Sequence, residues 1–402
     1  VIRIRYKVLN TVMHMNKYIW CIAYLILLLN FSFYSLAQII DTIPFQLEKG
    51  LISIKGKVND NEVDLIMDTG AGMTATTNVF NINQNLKTTR KTILVRDGNN
   101  EAKKIKKSII SNIEIGKFSA KNLEVISFDM PYLVCQESIL LGQDFMKSLN
   151  WKFDFINKYV YVSNKPFAAD SNMLSWDISF RNYRPYIKLN FSGEDIDCLI
   201  DLGYRGYLDL NENSTSISEM LANKRKDQKT MSYKSRVMGF LSTQSYASIE
   251  YFLADSILIS GKSVYEIPVS MSDYKGAKLG LHFFSSFCNE LIINNQEAKY
   301  YYSPKNTIRY ALPNFDAGFV WDDNKLKVIE KNVSPGSSAA NIEIGDEIIS
   351  INGMTAQDFR NDCNLLKWRL ENQAPTLEIL KQDGSKMELK RTFVTQYADK
   401  NR

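Results

Sequence analysis

One pattern occurs twice in this chain, and any fold has to accommodate both copies. Val63-Asp64-Leu65-Ile66-Met67-Asp68-Thr69-Gly70-Ala71 reads as a strand running into a tight turn, and Ile196-Asp197-Cys198-Leu199-Ile200-Asp201-Leu202-Gly203-Tyr204 repeats it. Val63, Leu65 and Met67 alternate with Asp64, Ile66 and Asp68, the period of a strand buried on at least one side. Gly70 lets the backbone turn sharply, and Thr69 can fix that turn by hydrogen bonding. Asp68 stands at the end of the strand, where a rigid element aims it. Each aspartate follows an isoleucine at the same interval, Ile54 before Asp68 and Ile187 before Asp201. A short polar turn precedes each apolar run, Asn59-Asp60-Asn61 in the first and Ser192-Gly193-Glu194 in the second. Such self-similarity implies two related lobes, each contributing one aspartate.

Two carboxylates brought together have a specific chemistry. Like charges a few ångströms apart do not both ionise readily, so the pair shares one proton. The ionised partner takes a proton from water while the protonated one polarises a carbonyl, which hydrolyses an amide without a nucleophilic side chain or a metal. The two apparent pKa values then belong to the pair.

Asp68-Thr69-Gly70-Ala71 resembles the active-site motif of retropepsin-like aspartic proteases. That family also carries an apolar Leu-Gly-x-Asp-Phe element late in each lobe. Here it stands as Ile139-Leu140-Leu141-Gly142-Gln143-Asp144-Phe145, echoed by Lys278-Leu279-Gly280-Leu281-His282-Phe283-Phe284. The resemblance spans roughly Leu47 to Tyr302. It implies Asp68 and Asp201 as the catalytic pair, with Thr69, Gly70 and Gly203 shaping the two loops. The second lobe departs from the family pattern. Leu202 replaces a threonine that would lock the loops together, and Tyr204 replaces a small residue. Arg205 lies four residues from Asp201, within reach of pairing with it. Such a pair would bias the shared proton towards Asp68 or silence the site, and a second lobe that only props up the first is the other reading.

Between strand-like runs, Arg96-Asp97-Gly98-Asn99-Asn100 gives a strong hairpin signal. By resemblance this is the flap over bound peptide, so Asp97, Gly98 and Asn99 are expected to touch substrate; an ordinary surface hairpin is the alternative. Met238-Gly239-Phe240 is the counterpart in the second lobe, placing Gly239 at the substrate. Ile113-Glu114-Ile115-Gly116-Lys117 and Ile257-Leu258-Ile259-Ser260-Gly261 form a further repeated strand and turn.

The N-terminal stretch from Met15 has the pattern of a secretory signal: Lys17, an apolar run Ile19 to Leu29, and Ser35-Leu36-Ala37 before Gln38. Val1–His14 reads as an upstream extension, and an uncleaved membrane anchor is the alternative. Arg3, Arg5, Lys7 and Lys17 supply most of the formal charge of +5, so no nucleic-acid partner is expected. Cys135, Cys198, Cys288 and Cys363 show no Cys-x-x-Cys spacing, and no metal or cofactor is expected. Most of these cysteines read as small buried residues, with a Cys135–Cys288 bridge left open. His282 occupies the place of Asp144 in the repeated element and reads as structural. No Gly-x-Ser-x-Gly elbow and no dinucleotide fingerprint occurs.

After Tyr300-Tyr301-Tyr302-Ser303-Pro304 the pattern changes. Ile344-Gly345-Asp346-Glu347-Ile348-Ile349-Ser350-Ile351-Asn352-Gly353, a helical run over Ala356 to Asn372 and a hairpin about Asp383-Gly384 resemble a PDZ domain of the kind attached to bacterial exported proteases. The resemblance implies that Asp316-Ala317-Gly318-Phe319 holds a terminal carboxylate, with Gly318 and Phe319 as binding residues. A module that only packs on the lobes is the competing reading.

The expected fold is mainly β: two pseudo-symmetric retropepsin-like β lobes followed by a small α+β PDZ domain. The expected boundaries are 1–37 for extension and signal, 38–165 and 166–305 for the lobes, 306–314 for a linker, 315–395 for the PDZ domain and 396–402 for a tail. The expected function is an exported aspartic endopeptidase, a monomer acting on polypeptides. The alternatives are a catalytically degenerate peptide-binding scaffold of the same fold and a dimer that pairs Asp68 from two chains.

Overall fold

Two-residue turns set the register of each lobe. A computed structural model of the chain describes residues 38–47, 50–96, 102–211, 215–227, 230–237, 245–259, 261–272, 276–311 and 313–393. The first lobe comprises β1 (Ile40–Gln46), β2 (Ser53–Val58), β3 (Asn61–Met67), β4 (Ala75–Thr76), α1 (Asn78–Asn83), β5 (Lys87–Arg96), β6 (Ala102–Ile115), β7 (Phe118–Ser127), α2 (Pro131–Gln136), β8 (Ser138–Leu141), α3 (Gln143–Met146), β9 (Asn150–Asp154) and β10 (Tyr159–Ser163). The second comprises β11 (Leu174–Asp177), β12 (Ser179–Arg181), β13 (Arg184–Phe191), β14 (Glu194–Asp201), β15 (Leu208–Asn211), α4 (Thr215–Lys226), β16 (Thr230–Val237), β17 (Ser245–Ile259), β18 (Lys262–Ser272), β19 (Ala277–Gly280), α5 (Leu281–Phe287), β20 (Cys288–Asn294) and β21 (Lys299–Pro304). Asn59 and Asp60 both take positive φ and join β2 to β3; Ser192 and Gly193 do the same for β13 and β14. That is the backbone a two-residue hairpin needs to match strand twist.

The chain is mainly β, with two similar six-stranded barrels. The first runs β2-β3-β8-β4-β7-β6 and closes by pairing of β2 with β6. The second runs β13-β14-β19-β15-β18-β17 and closes by pairing of β13 with β17. Strand directions agree too: β3–β8 and β14–β19 are parallel, as are β4–β7 and β15–β18. The repeated Ile-x-Ile ends, at Ile113 and Ile259, supply the closing pairs Val58–Ile113 and Leu189–Ile259. Closure removes the free edges an open sheet would expose.

A third layer joins the lobes. β1, β10, β9, β20, β21 and β11 form one antiparallel run in which β9 of the first lobe pairs with β20 of the second. The buried Asn295 amide donates to the carbonyls of Met146 and Leu149 and accepts from the Tyr300 hydroxyl. One hydrophobic core runs through both lobes, from Phe45 and Ile54 to Phe283 and Tyr302.

The C-terminal module comprises β22 (Ala317–Asp322), β23 (Lys325–Asn332), β24 (Glu347–Ile351), β25 (Met354–Thr355), α6 (Ala356–Phe359), α7 (Asp362–Glu371), β26 (Thr376–Lys381) and β27 (Lys386–Lys390). It has its own core, including Phe319, Val328, Ile348, Phe359 and Ile379. Two devices hold it in place. β23 pairs with β16 of the second lobe, Tyr233 opposite Asn332. Cys135 on α2 is disulfide-bonded to Cys363 on α7. This corrects the expectation for the cysteines: Cys288 is free and buried, as is Cys198, and Cys135 bonds across 228 residues. The segment before the module is docked, because the Tyr310 hydroxyl donates to the Glu266 carbonyl and the Tyr207 hydroxyl accepts from Ala311 N–H.

Candidate active site

The two parallel strand pairs carry the two aspartates to one place. Met67 pairs with Leu141 and Asp201 with Gly280, so each aspartate-bearing loop leaves its barrel beside the glycine that opens α3 or α5. The carboxyl groups of Asp68 and Asp201 lie within hydrogen-bonding reach of each other. Asp68 also accepts from Ala71 N–H at 2.9 Å, and Asp201 accepts from Gly203 N–H at 3.0 Å.

The loop glycines make this approach feasible. A Cβ on Gly70 would lie 2.5 Å from the Asp201 carboxyl carbon, and one on Gly203 would lie 2.2 Å from that of Asp68. Each glycine thus leaves room for the other lobe's aspartate. The loops are locked by one threonine. The buried Thr69 hydroxyl donates to Ile200 C=O at 2.7 Å and accepts from Leu202 N–H at 2.9 Å. Leu202, fully buried, packs into the common core in place of a reciprocal lock.

Behind each loop the barrels differ. In the first lobe Asp144 accepts from the backbone and the hydroxyl of Thr74, and Gly142 N–H donates to that same hydroxyl. In the second lobe His282 stands at the corresponding helix position, with its ring 5.4 Å from that of Tyr207. Burial, then the charge of Arg205, lowers its pKa to about 4, so the imidazole is neutral over most of the pH range. Tyr204 packs against its own loop and the glycine that opens α5. Its hydroxyl meets Ser270 at 3.1 Å, and its ring covers Gly206 and Gly280.

Burial, together with the charge of Asp201, pushes Asp68 well above the ordinary carboxylate range, against the N–H groups of Ala71 and Gly70. Burial raises Asp201 as well, but Lys278 draws it back, followed by the hydrogen bond from Asp68 and the N–H of Gly203. Arg184 adds a smaller effect of the same sign. The expected pairing of Arg205 with Asp201 is therefore corrected: the cations acting on Asp201 are Lys278 and Arg184. Arg205 instead crosses Gly50 of the first lobe and lines a cavity of the C-terminal module.

Asp68, Thr69, Gly70, Asp201 and Gly203 thus come together. Asp97, Gly98, Asn99 and Gly239 lie outside the described residues, although the arms of the first hairpin pair up to Arg96–Ala102. Gly318 and Phe319 sit apart from the aspartates, in the cavity lined also by Arg205, Glu330, Leu366 and Arg369. Arg369 donates to Phe319 C=O, and Asp362 accepts from Trp321 N–H. Both side chains come from α7, and they occupy edge positions of β22 that an added peptide strand would use. Sequence reasoning missed Lys278 and Asp209. Their signal was a lysine at the repeat position where the first copy carries Leu140.

Residues 54–148 match the family model described as gag-polyprotein putative aspartyl protease. The match covers Asp68 and runs through the Gly142 element, so the first lobe is similar to a retropepsin-like aspartyl protease. No curated protein matches the chain.

Proposed function

We propose that the protein is an aspartic endopeptidase whose Asp68 and Asp201 activate one water between them. The observation that carries this reading is the reciprocal fit of the two loops, in which each glycine accommodates the opposite carboxyl group. Asp201 acts as the base: it takes a proton as the water oxygen attacks the peptide carbonyl carbon. Asp68 donates its proton to the carbonyl oxygen, giving a tetrahedral diol. Collapse of the diol transfers a proton to the amide nitrogen, and the C–N bond breaks. The shared proton is regenerated, so no other co-reactant is required.

The departures in the second lobe are compatible with turnover. Leu202 lies in the core, Tyr204 points to Ser270 and Arg205 faces the C-terminal module, so none of the three blocks the carboxyl pair. That geometry weighs against the scaffold reading. Because one chain supplies both aspartates, no second copy is needed.

The C-terminal module is read as a PDZ domain acting mainly as a docked support, because α7 side chains already bond the edge of β22. Export through the N-terminal signal is part of the proposal, and the Cys135–Cys363 bond suits an oxidising compartment.

Cleavage of an unfolded protein between pH 3 and 8 tests the reading. Activity should vanish with Asp68→Ala and with a statine-type transition-state mimic. A folded wild-type chain that cleaves nothing at any of these pH values overturns it.

A further inference from the structure

The two barrels match strand for strand, which makes a difference in charge beside the aspartates legible. In the first lobe Leu140 of β8 lies opposite Ile66 of β3 and Ala75 of β4. In the second lobe the same position on β19 is Lys278, opposite Leu199 of β14 and Asp209 of β15. An apolar pair, Ala75–Leu140, is thus replaced by a charged pair, Asp209–Lys278. Asp209 is 5% exposed. Lys278 Nζ lies 4.0 Å from the Asp209 carboxylate and 4.6 Å from the centre of the Tyr204 ring. The Ser270 hydroxyl donates to Asp209 at 2.8 Å and meets the Tyr204 hydroxyl, which closes the network. Lys278 and Asp201 belong to adjacent strands on one face, since Leu199, the partner of Lys278, lies two residues before Asp201.

Resting on the dyad reading above, we infer that Lys278, held by Asp209, fixes the dyad's negative charge on Asp201 and leaves the shared proton on Asp68. The Lys278 side chain is only partly exposed, at 27%, so its charge carries a desolvation cost that a leucine would not, and the first lobe manages its fold with the leucine. The charge therefore serves the site rather than the barrel. The other groups facing Asp201 do not replace it. Arg184 acts from β13 more weakly, while Cys198 of β14 and Tyr204 are pushed upward by burial and stay neutral at acidic and neutral pH. Asp209 opposes Lys278 in its effect on Asp201, and Asp68 is the other half of the pair. Lys278 is a positioning residue, since it acts through Asp201 and not on substrate.

Two measurements test this. In the pH profile of kcat/KM, Lys278→Met should move the acid limb, where Asp201 loses its proton, to higher pH by about one unit, and Lys278→Arg should restore it. Asp209→Asn, which frees the lysine's charge, should move the same limb to lower pH. Opposite shifts from the two members of one pair are not expected of a purely structural role. Profiles that superpose on wild type, or shift in the same direction, overturn the inference. Carboxyl carbon NMR of the unmodified chain provides the second measurement and needs neither a variant nor turnover. Asp201 should ionise at lower pH than Asp68, and the reverse order overturns the assignment. A chain without peptidase activity would defeat the dyad reading, while the order of ionisation would still decide this one.

Discussion

Gly203 has no side chain because the Asp68 carboxyl group occupies the space one would need. The same holds for Gly70 and Asp201, so the site depends on two absences as much as on two acids. Gly203→Ala places a Cβ 2.2 Å from the Asp68 carboxyl carbon, and the carboxyl must move. Since misplacing a reacting group by about 1 Å can cost on the order of a hundredfold in rate, kcat should fall by at least that much with little change in far-ultraviolet circular dichroism. An alanine variant with wild-type kcat would contradict the geometry. At this scale the sequence was informative where chemistry repeats. Asp68, Thr69, Gly70, Asp201 and Gly203 all follow from the doubled strand-and-turn motif. The direction of Arg205 did not follow, because four residues of separation set a reach and not the way a loop side chain turns. Lys278 became meaningful only when strand register placed it opposite Asp209 and level with Leu140.

Among the elements, the hairpins and barrel strands were readable from period-two alternation and from turn residues that tolerate positive φ, such as Asn59-Asp60 and Ser192-Gly193. The pairing of β16 with β23 was not, since it joins segments about a hundred residues apart in which neither strand's pattern names its partner. The disulfide was hidden for a related reason: a single bridge among Cys135, Cys198, Cys288 and Cys363 can be any of six pairs, and spacing alone does not choose between them. Helix α5 offers a test of local electrostatics. His282 has an ordinary pKa of 6.5 and is held at about 4 by burial, with Arg205 adding to the effect. Between those values the unfolded chain binds a proton that the folded chain refuses. Its contribution to stability is therefore complete above pH 6.5 and is lost as pH falls towards 4. Urea midpoints at pH 7 and pH 4.5 should show a smaller acid loss for His282→Gln than for wild type. Equal losses would show that His282 titrates normally in the folded state.

At the scale of the molecule, three ties make one body of the lobes and the module: the β9–β20 pair between lobes, the β16–β23 pair to the second lobe and the Cys135–Cys363 bond to the first. The bond spans 228 residues, and closing so long a loop restricts the unfolded chain strongly. Reduction should destabilise the folded chain by about 2–5 kcal/mol, read as a lower thermal midpoint, while Cys198 and Cys288 remain unreactive to thiol reagents until unfolding. An unchanged midpoint after confirmed reduction would mean that the strand pairs alone hold the module. The central claim is that one chain supplies both halves of the catalytic pair. Peptide turnover by Asp68→Asn, by Asp201→Asn and by an equimolar mixture of the two tests it most directly. Each variant should lose activity by about a hundredfold to ten-thousandfold, and mixing should restore none of it. Wild-type turnover by Asp201→Asn, or recovery on mixing, would contradict the account and place the pair between two chains.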